Sequence, residues 1–278
     1  MRGKKATNPK VYLGCAKWRR TEWVGKIYPL KTKKGDFLDH YVKHYNSIEL
    51  NATHFKVYGA AGVAKWVAKA RKKDFMFCPK MFQGITHRGS LLNKEFITTE
   101  FLRGIIAFEK HLGPTFVQVS DTFTTKQKEE LFIFLCSLPT NMQFFLELHI
   151  PDWFGKVDMK AELFDFLRSI NMDIVITDTS ARRDCAHLHA IVPKTFIRYV
   201  GYNLHPADYT RVDDWINRMK YWLDNGIEEI YFLMRMHDET FSSELTVHKE
   251  DKIAAACGLN LIKRKFIDPS QTDLFDGK

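Results

Sequence analysis

Short apolar runs rich in β-branched and aromatic residues recur along the chain: VYLGCA (11–16), SIELNA (47–52), FMFCPK (75–80), TFVQVS (115–120), QFFLELH (143–149), DIVITDT (173–179), TFIRYVG (195–201) and EIYFLMR (229–235). Each has the length and make-up of a buried strand. Between most of them the apolar positions fall at helical spacing, in DFLDHYVKHY (36–45), AGVAKWVAKARKK (61–73), TKQKEELFIFLCSL (125–138), KAELFDFLRSI (160–170) and VDDWINRMKYWLDNG (212–226), the last closed by Gly226 in a C-cap position. Strand followed by helix, about eight times over, predicts parallel pairing. In roughly 250 residues that pattern fits an α/β fold of the TIM type, a (β/α)8 barrel in a single domain, better than an open doubly wound sheet. Neither G-x-G-x-x-G nor G-x-x-x-x-G-K-[ST] occurs, which argues against a Rossmann or P-loop nucleotide site. The expected boundaries are a polar N-terminal tail at 1–10, the barrel at 11–264 and a flexible C-terminal tail at 265–278.

Composition changes this picture in two ways. Lys and Arg total 42 against 33 Asp and Glu, a formal charge of +9, so attraction to polyanions is expected and nucleic acid becomes a candidate partner. The five cysteines are scattered and form no C-x-x-C pair, which points away from a disulfide framework or zinc finger and towards a reducing cytoplasm. The basic start MRGKKATNPK is followed by an apolar run broken at Lys17, Arg19 and Arg20, unlike a secretory signal. No apolar stretch is long enough to span a membrane, so no membrane partner is expected.

The strand ends carry the candidate chemistry. Glu49 and Asn51 lie two apart, as do Glu147 and His149, so each pair shares a strand face. Lys80, Gln118, Asp178, Arg198, Arg235 and His237 fall at or near the ends of other strands. In a barrel those ends converge on one mouth, where such enzymes keep their catalytic groups. Three carboxylates among cations and histidines could supply a general acid or base and a holder for phosphate; equally, barrel interiors hold purely structural ion pairs. A divalent metal is the weaker expectation, because no H-x-x-x-H or H-E-x-x-H spacing links Glu147, His149, Asp178 and His237. Aromatic residues follow several strands (Trp18, Trp23, Phe55, Trp153, Phe154), placed either to stack sugars or bases or to cover the barrel top.

The segments LGCAKWRRTEWVGKIYP, YVKHYNSIELNATHF, FMFCPKMFQGITH, LGPTFVQVSDTF, LELHIPDWF, ITDTS and FIRYVG, in that order, resemble the YecE-like family, known as domain of unknown function seventy-two. The resemblance runs from about Val11 to His237. It implies a TIM barrel with a polar pocket at the strand ends and no established reaction. Position by position it highlights Trp18, Glu49, Asn51, Lys80, Thr86, His87, Gln118, Glu147, Trp153, Asp178, Arg198 and Gly201. Lys17 stands where that family usually has Gly, His149 where it usually has Arg, and Val200 where a His normally precedes the Gly.

The C-terminal segment QTDLF places Gln271, Leu274 and Phe275 in a polar tail. It resembles the peptide by which bacterial DNA polymerases and repair proteins hold the sliding clamp, with the apolar pair entering a pocket and the glutamine at its rim. The alternative is a terminal staple folded back on the barrel. Together these features predict a cytoplasmic barrel acting on nucleic acid or a sugar phosphate by acid–base or metal-assisted phosphoester or glycosidic chemistry. Glu49 and Glu147 are then the acid/base candidates, Asp178 and His149 orient them or bind a metal, and Lys80 and Arg198 hold phosphate, with Trp18, Asn51, His87, Gln118 and Trp153 lining the substrate. The rivals are a non-catalytic binding module for a small anion, sugar or nucleotide end, and a sugar isomerase or epimerase.

Overall fold

A computed structural model of the protein describes residues 9–71, 73–155, 157–180, 187–257 and Ile267. Every predicted apolar run forms strand: β1 (Lys10–Cys15), β2 (Ser47–Leu50), β3 (Met76–Pro79), β4 (Thr115–Gln118), β5 (Phe144–Glu147), β6 (Asp173–Ile174), β7 (Ile176–Thr179), β8 (Lys194–Gly201) and β9 (Glu229–Met236). The run 173–179, expected as one strand, is two. Its first half pairs with β5 and its second with β8, and the chain changes neighbour at Val175, whose N–H donates to Leu146 O at 2.7 Å. Lys10, expected in the polar tail, opens β1 because its N–H donates to Glu228 O at 2.8 Å.

All pairings are parallel, in the orders β3-β2-β1-β9-β8-β7 and β4-β5-β6. Two joints close these into a ring. Between β3 and β4, Lys80 bridges Phe116 and Met81 N donates to Phe116 O at 3.0 Å; between β6 and β7 the chain itself is continuous. The strands therefore run around a barrel in sequence order, as the repeated strand–helix pattern predicts.

The helices are α1 (Phe37–His44), α2 (Ala52–Phe55), α3 (Ala60–Ala70), α4 (Gln83–Thr86), α5 (Glu95–Ile106), α6 (Lys128–Cys136), α7 (Asp152–Gly155), α8 (Val157–Ser169), α9 (Pro206–Asp224) and α10 (Ser242–Cys257). In α9 the sequence logic is visible end to end. Pro206 opens it behind His205, whose side chain accepts from Ala207 N–H at 3.2 Å. Val212, Trp215, Ile216, Met219 and Leu223 form its buried stripe. Gly226, at φ +100, turns the chain out, a conformation that glycine adopts without steric cost. Among the described residues no helix is long and apolar enough to cross a membrane.

Inside the barrel, Tyr12, Cys78, Phe116, Phe145, Val175, Phe196, Tyr231 and Leu233 form one buried cluster. Tyr12 and Tyr231, register partners on β1 and β9, stack with centroids 4.6 Å apart. Burying each large side chain here contributes about 1.5–3 kcal/mol, and together they plug the barrel. Two residues further along their strands stand Lys80, Gln118, Glu147, Thr177, Arg198 and Arg235. Because side chains alternate with period two, these residues share the inward face and lie one layer nearer the C-terminal mouth.

Gln271, Leu274 and Phe275, with the rest of QTDLF, lie outside the described residues, as does Cys185. Ile267, expected in the C-terminal tail, donates its N–H to Lys26 O at 2.6 Å.

Candidate active site

The polar layer is organised by Arg198, which is 6% exposed. Its Nε donates to Glu49 Oε2 at 3.0 Å and its Nη2 to Glu49 Oε1 at 2.7 Å, while Nη1 donates to Glu147 Oε1. The guanidinium also stands over the Phe116 ring, 5.2 Å from its centroid. Burial alone would raise both carboxyls, but Arg198, aided by Arg235 and Asn51 at Glu49 and by His149 at Glu147, overturns that and holds both below the usual carboxylate range. Both glutamates are therefore ionised across the physiological range. Arg198 is correspondingly a permanent cation, held by two carboxylates against the cost of its burial. The sequence expectation that Arg198 holds phosphate is not what the structure shows, because its guanidinium is committed to Glu49 and Glu147.

Glu147 Oε1 also accepts from Thr177 Oγ1 at 2.8 Å and lies 2.8 Å from His149 Nε2. Its second oxygen, Oε2, is buried and has no hydrogen-bond partner among the described residues. His149 Nδ1 stands 3.0 Å from Asp121 Oδ1 and 3.2 Å from Gln118 Nε2. Burial opposes a charge on this ring, yet Glu147 and Asp121 outweigh it and raise its pKa above the ordinary histidine value. Each protonation state has partners: the cation donates to Glu147 and Asp121, and the ring protonated only on Nε2 can accept at Nδ1 from the Gln118 amide.

Lys80 ends the third wall of this layer, and among the described residues its Nζ has no hydrogen-bond or ion-pair partner. Burial lowers its pKa, with Glu147 acting in the opposite sense. His87 accepts or donates at Nδ1 with Thr86 Oγ1, 2.8 Å away, and packs edge-on against His54 with centroids 4.9 Å apart. Burial and then Lys80 depress His87. His54, pinned by Met81 O at 2.8 Å, is lowered to about 4, first by burial. Both rings are thus neutral neighbours of the lysine. Asn51 joins the other end of the network, its Nδ2 donating to Glu49 Oε1 at 2.9 Å.

Two sequence-predicted residues lie elsewhere. Asp178 is one residue out of phase with the inward positions: Thr177 faces Glu147, while Asp178 turns towards α9, where Arg211 Nη2 lies 2.9 Å from Oδ1 and Trp215 Nε1 donates to Oδ2 at 2.8 Å. Trp153 is fully buried, its Nε1 donating to Phe123 O at 3.2 Å, so it belongs to the core, as does Trp23. Gly201 ends β8 where a side chain has no room, since a Cβ would strike Met236 Sδ. Trp18 does reach the mouth, in a cleft with Tyr58 and Trp66.

Sequence reasoning missed Thr177, Asp121, Tyr58 and Trp66. Thr177 lies two residues after the inward Val175, a parity that becomes readable only once the register of β7 is known. Asp121 sits in a loop and the two aromatics on or before α3, where no strand period applies. Among the described residues no three His, Cys, Asp or Glu side chains gather in a metal-ligating group; Arg198 fills the space between the two buried glutamates.

Residues 12–259 match the family described as "Protein of unknown function DUF72". The UPF0759 protein YecE of Escherichia coli K12 is 25% identical over 231 residues, 76% of this chain and 82% of that protein. The UPF0759 protein YunF of Bacillus subtilis 168 is 33% identical over 76 residues, 27% of this chain and 26% of that one. Among solved structures, a DUF72 family protein of Enterococcus faecalis V583 superposes with a TM-score of 0.69 at 16% identity, covering 94% of this chain and 98% of the other. That likeness extends to the fold.

Proposed function

Because this chain belongs to the DUF72 family of proteins of unknown function, we propose its activity from the barrel mouth itself: acid–base hydrolysis of a phosphoester or glycosidic bond in an anionic, sugar-bearing substrate. The observation that carries this is His149, set between an ionised buried glutamate and a loop aspartate, with a hydrogen-bond partner for each of its protonation states. In its protonated form it gives a proton to the leaving oxygen as that bond breaks. A water oxygen forms the new bond, and the proton that water sheds returns to the imidazole. Glu147 fixes the ring and favours the cation, so its role is to orient rather than to transfer protons. Lys80 at β3's end, and Arg235 on β9, whose Nε stands 3.5 Å from Glu239 Oε1 and whose remaining guanidinium N–H groups have no carboxylate partner among the described residues, are the cations to meet the substrate's negative charge.

The net charge of +9 suits an anionic substrate, including a nucleic-acid end. Recruitment to the sliding clamp through Gln271, Leu274 and Phe275 is a separate proposal that the sequence alone supports, and loss of clamp binding on replacing Leu274 and Phe275 by Ala is its test.

The activity is tested by assaying the purified protein, its His149→Gln variant and its Glu147→Gln variant against a panel of phosphorylated sugars, nucleotides and oligonucleotides. Hydrolysis by the unmodified protein that both variants lose is the expected result. Hydrolysis undiminished in His149→Gln contradicts the proposal.

A further inference from the structure

Beside the polar layer, the rim opens into a cleft of about 410 Å³, within the range of small-ligand sites. Its walls are aromatic. Trp18, from the loop after β1, meets Trp66 of α3 edge-on at 6.0 Å, and Tyr58 lies 4.8 Å from the same indole. Phe55, at the end of α2, is 68% exposed in the cleft wall, a poor position for core packing and a good one for a bound ring. Glu49 and Asn51 supply the polar lining. Glu49 is already held by Arg198 through both oxygens, and Asn51 Nδ2 donates to Glu49 and, at 3.4 Å, to Ala16 O. Asn51 Oδ1 has no donor among the described residues. Lys17 and Arg19 stand exposed at the rim.

These features discriminate between ligand classes. A pyranose has hydroxyls around its whole edge and is held mainly through hydrogen bonds, whereas the walls of this cleft are chiefly aromatic and its carboxylate, Glu49, is already held by Arg198. A planar heteroaromatic ring needs stacking surfaces and little edge readout. The cations at the rim favour a ligand that also carries negative charge. We infer that the cleft seats the base of a nucleoside phosphate, stacked among Trp18, Phe55, Tyr58 and Trp66, with its sugar and phosphate extending past Glu49 towards Lys80 and Arg235. Placing the phosphate end there rests on the function proposed above; seating the base does not. The same chemistry is offered by a free mononucleotide and by the terminal nucleotide of a single strand.

Calorimetric titration of the full chain separates these possibilities. The probes are adenosine, uridine, their 5′-monophosphates, ribose 5-phosphate and a short 5′-phosphorylated oligonucleotide, each tested on the unmodified protein and on Phe55→Ala and Trp18→Ala. The expected result is saturable nucleotide binding that each variant weakens by about tenfold, the scale of one lost base stack, with ribose 5-phosphate unaffected by either variant. Because Phe55 is exposed, its replacement tests the cleft without endangering the fold. Tighter, more salt-sensitive binding of the oligonucleotide identifies a strand end as the source, and equal affinity a free nucleotide; both support the inference. If nucleosides bind in the cleft while ribose 5-phosphate does not bind at all, the base site stands and the phosphate-handling mouth fails. The inference is overturned if ribose 5-phosphate binds as tightly as the nucleotides, if Phe55→Ala and Trp18→Ala leave nucleotide affinity unchanged, or if none of the base-bearing probes binds.

Discussion

Two carboxylate–arginine clusters sit near the same end of this barrel and face opposite ways. Inward, Arg198 joins Glu49 and Glu147. Outward, under α9, Arg211 joins Asp178 and Asp208 at 2.9 and 3.3 Å and stacks over Tyr199, 4.5 Å from its centroid. Both clusters are buried, and in both an arginine is paired with two carboxylates. They differ in what surrounds them. The outer cluster is covered by the helix that provides Arg211 and Trp215, so its bonds tie α9 to the sheet. The inner cluster includes Glu147 Oε2, which has no hydrogen-bond partner among the described residues, and beside it lie the Lys80 ammonium and a histidine served in both protonation states. A buried ion pair is at home in either place. Arg211 Nε in the outer cluster also lacks a hydrogen-bond partner among the described residues, but it lies beneath a helix; polar capacity left open at the mouth of the barrel is what marks a candidate site rather than a strut.

The largest effect that should separate the clusters is on stability. Arg198→Met leaves two ionised glutamates buried without their cation and should cost about 3–5 kcal/mol. Arg211→Met should cost less, about 1–3 kcal/mol, because Asp178 keeps its bond from Trp215. Denaturant melts of the two variants check the ranking, and equal losses would erase the distinction. On turnover the order should sharpen further: Glu147→Gln is expected to lower it by about 10²–10⁴ with the fold intact by circular dichroism, whereas Asp178→Asn should leave it nearly unchanged.

Lys80→Met should weaken binding of a phosphorylated ligand by about tenfold. Stability should be maintained or slightly raised, since the substitution removes a partly buried cation that has no partner among the described residues. Asp173 supplies a smaller contrast at the opposite end of the strands, because it is held by backbone N–H groups of Ile174, Ile191 and Val192 at 2.6, 2.9 and 3.3 Å rather than by an arginine. Burial, only partly offset by those bonds, pushes its carboxyl up to about 7. A folded-state value above the unfolded one means that its contribution is full below about pH 4 and is lost as pH rises through about 7. Glu49 and Glu147 behave in the opposite sense, contributing above the ordinary carboxylate pKa and losing it on acidification. Stability curves of Asp173→Asn should accordingly be flatter between about pH 4 and 7 than those of the unmodified chain.

The barrel was largely legible in the sequence because its interior strands are short, apolar and evenly interrupted, a pattern that survives without tertiary information. So was the list of polar strand ends. Orientation was harder to read. Asp178 and Thr177 are adjacent, and only the register of β7, set by the change of neighbour at Val175, decides which faces in. Arg198 could be recognised as a cation at a strand end, but its capture by Glu49 and Glu147 depends on strands 149 and 51 residues distant along the chain. Trp153 followed a strand as a stacking residue would, yet its loop folds inward and the indole joins the core. On sequence His149, where the family resemblance leads one to expect arginine, reads as a catalytic-site group that orients the glutamates or binds a metal. Its contacts with Glu147, Asp121 and Gln118 are the reason it is the proton carrier in the function proposed above, with Glu147 orienting it.

The coupling of His149 to Glu147 is the centre of this account, and nitrogen-detected NMR titration of the His149 imidazole, in the unmodified protein and in Glu147→Gln, measures it directly. The expected result is a pKa above the ordinary histidine value of about 6.5 in the unmodified protein, with the proton lost as pH rises through that higher value, and a clear fall in Glu147→Gln. An imidazole that titrates at or below the ordinary value, or one indifferent to the loss of the Glu147 charge, would contradict it.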